Sequence, residues 1–251
     1  MIDSIASLLI NSQRYSLTKA SGEQLHSEFA DKSFVQLQNF YQGSALELLK
    51  HEAERLAKKA IRRDFEMAET GNTWRRLSTL NGDAIDELSS IVPLLYTDPH
   101  LLQFFSAIAG ESVYTVQDPG ENYLINLLHQ EGDTHGAHVD TYAYAWITMI
   151  DAPNEEDGGG LELVPGSTDQ KALDEPNVIR LWLQPGDCIF FKTDDTIHRV
   201  TPLIRSSRRL VIVSAFANEA TRNLVSYSSE NLYGVVQKSK AKALDSKKAQ
   251  S

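Results

Sequence analysis

The stretch "GDTHGAHVDTYAYAW", residues 132 to 146, places His135, His138, Asp133 and Asp140 where a polar turn runs into an aromatic strand. Imidazole and carboxylate side chains gathered at one strand end are metal-ligand types, and residues two apart on a strand face the same way. His138 and Asp140 would therefore offer a nitrogen and an oxygen on one side, with Tyr142, Tyr144 and Trp146 expected to continue that face. Asp133 reads as a residue that shapes the turn. A third ligand should come from another strand, and "DTIHRVTPL" offers His198. Two histidines and one carboxylate make a facial triad that leaves adjacent coordination positions open, a set that suits Fe(II) oxygenases. A zinc hydrolase could use the same ligands, but no nearby Glu or Asp is placed as its general base.

An Fe(II) oxygenase needs two further electrons. If a keto acid supplies them, its far carboxylate requires a fixed, planar cation. "SSRRLVIVSAF" puts Arg208 and Arg209 at a strand start. Should Val211, Val213 and Ala215 line the interior, alternation gives Arg209 their face and turns Arg208 away.

The elements that would hold these residues fall into two stretches. Residues 44 to 69, "SALELLKHEAERLAKKAIRRDFEMAE", read as one amphipathic helix with Leu46, Leu49, Ala53, Leu56, Ala60 and Ile61 at helical spacing. "SFVQLQNF" before it reads as a strand, and "TGNTWRRLSTLNG" after it as an irregular polar loop. "GDAIDELSSIVPLLY" and "DPHLLQFFSAIAG" follow as helices, with Asp83 and Asp98 as candidate caps. From residue 111 about eight short β-rich runs alternate with turn signals such as "DPGE" and "QPGD", the pattern of a sandwich or jelly-roll barrel. With no linker between the stretches, the helices are expected on one face of the β-unit, an α+β arrangement.

Composition narrows the function. The 251 residues are 41% hydrophobic and 23% charged, which permits a sizeable core, and the net charge of −10 argues against nucleic-acid partners. The single cysteine, Cys188, forms no internal disulfide and sits in the apolar run "DCIFF", as a buried structural thiol would. The N-terminus lacks the basic, long-apolar pattern of a secretory signal, and no run is long enough to span a membrane. A cytoplasmic protein without a membrane partner is expected. The lysine-rich tail "QKSKAKALDSKKAQS", residues 237–251, reads as disordered.

His138-x-Asp140, then His198, then Arg209, with "GGGLELVPGS" and "PGDCIFFKTDDTIHRVTPL", resembles the Fe(II)/2-oxoglutarate-dependent oxygenase superfamily over residues 111 to 217. The resemblance implies a double-stranded β-helix (a jelly-roll, cupin-like barrel) with the N-terminal helices packed on one face. It implies one domain over residues 1–236, with a helical part at 1–110 and a barrel core at 111–217. The implied cofactor is Fe(II) held by His138, Asp140 and His198, with 2-oxoglutarate bound by Arg209 and O2 as second co-substrate, and succinate and carbon dioxide released. "GDTHGAHVDTYAYAW" with "IDAP" is similar to a narrower group, the halogenases and hydroxylases of free amino acids, notably lysine. Halogenases of that group have glycine where this chain has Asp140, so hydroxylation is the expected outcome here. The group's substrate contacts fall at Glu121, His135 and Thr141 for the amine, and at Arg75 or Arg76 for the carboxylate. The chain departs from the group at Val213 and Ala215, where the group carries polar side chains. Two other readings stay open: an oxygenase of a peptidyl side chain or another small metabolite, and a non-catalytic β-barrel binding module.

Overall fold

The computed structural model describes Leu9 and residues 19–226. The tail expected to be disordered, 237–251, lies outside the described residues. Helix α1 (Lys19–Lys32) leads into strand β1 (Phe34–Leu37), and α2 (Gly43–Ala57) into β2 (Ile61–Met67) and β3 (Thr73–Leu80). Three helices follow: α3 (Gly82–Leu88), α4 (Ile91–Tyr96) and α5 (Pro99–Ala109). The remaining strands are β4 (Tyr114–Thr115), β5 (Tyr123–Leu128), β6 (Thr134–His138), β7 (Tyr144–Asp151), β8 (Leu161–Val164), β9 (Ile179–Leu181), β10 (Cys188–Lys192), β11 (Ile197–Val200) and β12 (Arg209–Ala217).

The strands form one curled sheet in the order β1-β10-β7-β12-β5-β3-β6-β11-β8-β9, with β2 added on β3 and β4 on β12. Every pairing between these strands is antiparallel. This is a double-stranded β-helix with helices on one face, as the sequence led us to expect. Alternation on β12 separates two cores. Leu210, Ile212 and Phe216 face the helices, packing with Leu49, Leu56, Phe105 and Ile108, while Val211 faces the barrel interior with Ala145, Ile147 and Leu161. Cys188 is buried, its Sγ 3.5 Å from Thr148 Oγ1.

Three sequence expectations are corrected. The long helix over 44–69 ends at Ala57, and residues 61–67 are strand β2. In "IRRDFEM" Arg63 and Met67 are buried and Asp64 and Glu66 exposed, a two-residue alternation masked by charges that also suit a helix. The "TWRRLSTL" segment is no loop. It is β3, which pairs with β2, β5 and β6 and so joins the two halves of the barrel. Its buried polar residues concealed it, and the β-structure therefore begins well before residue 111. Finally, the run from His138 to Trp146 is not one strand. It breaks at a corner over 139–143, which reverses the face: Tyr144 and Trp146 pack toward the helices, and Ala145 and Ile147 face the interior.

Candidate active site

The site begins with the β6–β11 pair. His138 stands opposite His198, whereas Val200 pairs with His135, so two residues of β6, Gly136 and Ala137, face the single Arg199 of β11. That bulge puts His135 and His138, three apart in sequence, on one face. Their rings stack with centroids 4.3 Å apart, and His138 lies 4.2 Å from His198. Gly136 is required here, because a Cβ would come within 2.8 Å of the Trp74 carbonyl oxygen.

Each ligand-type histidine has its tautomer set by the backbone. His138 Nδ1 lies 2.7 Å from the Gly136 carbonyl oxygen and His198 Nδ1 2.9 Å from that of Thr196. Donating Nδ1–H to these acceptors leaves both Nε2 lone pairs aimed inward. Burial, reinforced by the neighbouring His198 and His135, holds His138 well below the usual histidine range, so it stays neutral as a ligand must. Asp140 follows β6 at the corner. Its Oδ1 is 3.5 Å from His138 Nε2 and its Oδ2 3.9 Å from His198 Nε2. One ligand atom from each residue lies within 4.8 Å of the others, a donor set and spacing that fit one divalent iron. Thr193, from the loop before β11, clamps the corner: its carbonyl accepts Asp140 N–H at 3.0 Å and its hydroxyl donates to the Tyr142 carbonyl at 2.9 Å.

These groups open on a cavity of about 850 Å³, counting its mouth, inside the barrel. Arg209 lies on its wall in one row with Val211, Val213 and Ala215. Arg209 is 2% exposed, its Nε and Nη2 have no partner, and burial pulls its pKa down to about 10. A buried cation without an anion is costly, so this geometry fits a ligand carboxylate arriving from the cavity. Arg208 points outward to Glu54 and Asp151.

Glu121, His135 and Thr141 also line the cavity. Burial, with Asp140 and Asp118 nearby, pushes Glu121 up to about 8, and its Oε1 is unpartnered. Burial and Arg75 hold His135 well below the usual range. The structure does not bring Arg75 or Arg76 to the cavity. Arg75 is buried opposite His135 and donates to Thr70 Oγ1, Thr73 Oγ1 and the Trp74 and Gly136 carbonyls. Arg76 lies on the outer face, 3.7 Å from the Trp74 ring centre and 3.1 Å from Asp64. Sequence reasoning missed Asn126 and Ser226, which line the same cavity as Tyr142, a residue the sequence had placed on the ligand face. An amide and a hydroxyl are too common to stand out, and only the register of β5 and the course of the chain after β12 bring these two here.

Over residues 17–234 the chain matches the family described as Halogenase D. No curated protein matches it. Among solved structures it is similar to the non-heme alpha ketoglutarate dependent epimerase SnoN from nogalamycin biosynthesis, with a TM-score of 0.63 and 16% identity over 80% of this chain and 82% of that one. A Pseudomonas putida prolyl-4-hydroxylase aligns with a TM-score of 0.55 and 14% identity over 79% and 99% of the two chains. EctD from S. alaskensis, solved with 2-oxoglutarate and 5-hydroxyectoine, aligns at 0.60 and 18% over 82% and 80%. No helix among the described residues is long and apolar enough to cross a membrane. The chain belongs to the halogenase D family, and with it to the Fe(II)/2-oxoglutarate-dependent oxygenases.

Proposed function

We propose that this oxygenase hydroxylates an unactivated C–H bond of a free amino acid, a basic one such as lysine being favoured, with 2-oxoglutarate and O2 as co-substrates. One observation carries the hydroxylase reading within a halogenase family: Asp140 supplies a carboxylate beside His138 and His198, so the position that a halide would need is filled. His138, Asp140 and His198 would hold the iron. Iron with the keto acid supplies the power to insert one oxygen atom into C–H, with succinate and carbon dioxide released. The remaining work is positioning. Arg209 would anchor the distal carboxylate of 2-oxoglutarate through its two unpartnered nitrogens. Glu121, His135 and Thr141, lining the same cavity, would hold the substrate amine. Arg75 would act through others, because the Gly136 carbonyl it meets at 3.2 Å also accepts from His138. Arg76, on the outer face, is assigned no part.

A cavity inside the barrel, rather than a groove along its surface, supports a small molecule over a peptidyl side chain. One oxygenase domain over residues 1–236 is supported by the family match and by β1–β3 joining the barrel's sheet. A cytoplasmic location remains part of this proposal.

The test is aerobic incubation with Fe(II), ascorbate and 2-oxoglutarate against separate free amino acids, following succinate and substrate mass. One amino acid is expected to gain a single oxygen with succinate in step, and Asp140→Ala to yield neither. Succinate formation with every amino acid unmodified would refute the substrate class.

A further inference from the structure

After β12 the chain turns back across the barrel mouth. Asn218 accepts Ala220 N–H and Thr221 N–H through Oδ1, each at 3.1 Å, and the Thr221 hydroxyl accepts Ala143 N–H from the metal-site corner at 3.3 Å. Farther along, the buried Tyr142 donates its hydroxyl to the Leu224 carbonyl at 3.2 Å. Leu224 and Val225 are exposed, at 47% and 80%, yet the next residue, Ser226, is 4% exposed and lines the cavity. Apolar burial therefore does not hold this strap in place. Its described fastenings are polar, and the Tyr142 hydroxyl holds the backbone at Leu224, two residues before Ser226.

Ser226 joins a set of oxygens. Its hydroxyl hydrogen-bonds the Glu121 carboxyl, and Thr141 Oγ1 lies 3.5 Å from Ser226 Oγ. Glu121 Oε1 has no partner although it is out of reach of solvent. One carboxylate and two hydroxyls converge, and Leu124, Val213 and Ala215 give the same cavity apolar lining. A primary ammonium carries three N–H donors and one charge, which matches three oxygens and one carboxylate. A quaternary ammonium would leave these acceptors unpaired in a dry site.

We infer that Ser226, held over the cavity by a strap that Tyr142 fastens, completes with Glu121 and Thr141 a three-oxygen subsite for a primary ammonium group. This rests on the cavity being the oxygenase's substrate chamber. Ser226 sets specificity, and Tyr142 is a positioning residue that does not itself need to touch the substrate.

The full chain, loaded anaerobically with Fe(II) and 2-oxoglutarate, is titrated calorimetrically with L-lysine, with pentylamine, and with hexanoate as a control lacking the ammonium. Wild type is expected to bind the two amines and not hexanoate. Ser226→Ala and Tyr142→Phe are each expected to weaken amine binding about tenfold, the scale of one charge-assisted hydrogen bond or its misplacement, with Ser226→Thr restoring it. In turnover the loss should appear in KM for the amine more than in kcat. Equal amine affinity in Ser226→Ala and wild type would overturn the assignment, as would wild-type protein that binds 2-oxoglutarate but neither amine. Failure to bind 2-oxoglutarate at all would instead strike the oxygenase chamber itself, and the subsite with it.

Discussion

Strand β3 carries Arg75 and Arg76; β12 opens with Arg209, just after Arg208. In each pair two-residue alternation sends one guanidinium inward and one outward, and both inward ones are almost fully buried, at 1% and 2% exposure. The difference is in what they meet. Arg75 donates to two threonine hydroxyls and two carbonyls of the chain itself. Arg209 leaves Nε and Nη2 unpartnered toward the cavity. Burial alone thus does not mark a ligand-binding arginine; an unanswered hydrogen-bond capacity does.

The sharpest way to break this contrast is to remove the two side chains separately. Arg209→Met is expected to reduce succinate formation at limiting 2-oxoglutarate by at least about 100-fold, the scale of two charge-assisted hydrogen bonds. Its melting temperature should not fall, because an unpaired buried charge is lost. Arg75→Met should do the reverse. It is expected to lose about 2–4 kcal/mol of unfolding free energy in urea, since several buried acceptors lose their donor. It should also bind iron about 10–100-fold more weakly, because the Gly136 carbonyl that orients His138 is no longer braced. The outward Arg76→Ala should change stability by no more than about 0.5 kcal/mol.

A smaller effect separates Glu121 from the arginines. Its folded pKa of about 8 lies above the usual carboxylate value, so the folded state binds a proton more tightly than the unfolded chain does. The associated stability is full below the unfolded value near 4.5 and is lost as pH rises toward 8. Without added substrate, wild type should therefore lose more melting temperature between pH 5 and pH 8 than Glu121→Gln. Parallel curves would mean that Glu121 titrates normally.

The same contrast shows what was legible in the sequence. Strict alternation along "RRLVIVSAFA" separates Arg209 from Arg208, and the structure has that alternation, with Arg209, Val211, Val213 and Ala215 on the cavity and Leu210, Ile212 and Phe216 toward the helices. The ligand-type residues His138, Asp140 and His198 announce themselves by chemistry, and the structure gathers them. Wherever alternation breaks, two-residue periodicity taken alone misleads. The bulge at Gly136 and Ala137 brings His135 beside His138, and the corner at 139–143 inverts the face of Tyr144 and Trp146. β3 was hidden because its inward row includes Arg75, whose partners include Gly136 and Thr70 on other segments. Ser226 was invisible because nothing about an isolated serine marks the strap that carries it.

The most direct measurement is calorimetric titration of 2-oxoglutarate into Mn(II)-loaded wild type, Arg75→Met and Arg209→Met, with metal saturation verified for each. Binding is expected in wild type and in Arg75→Met and should be absent from Arg209→Met. Undiminished binding by folded, metal-loaded Arg209→Met would contradict the assignment of the unpartnered guanidinium to the keto acid.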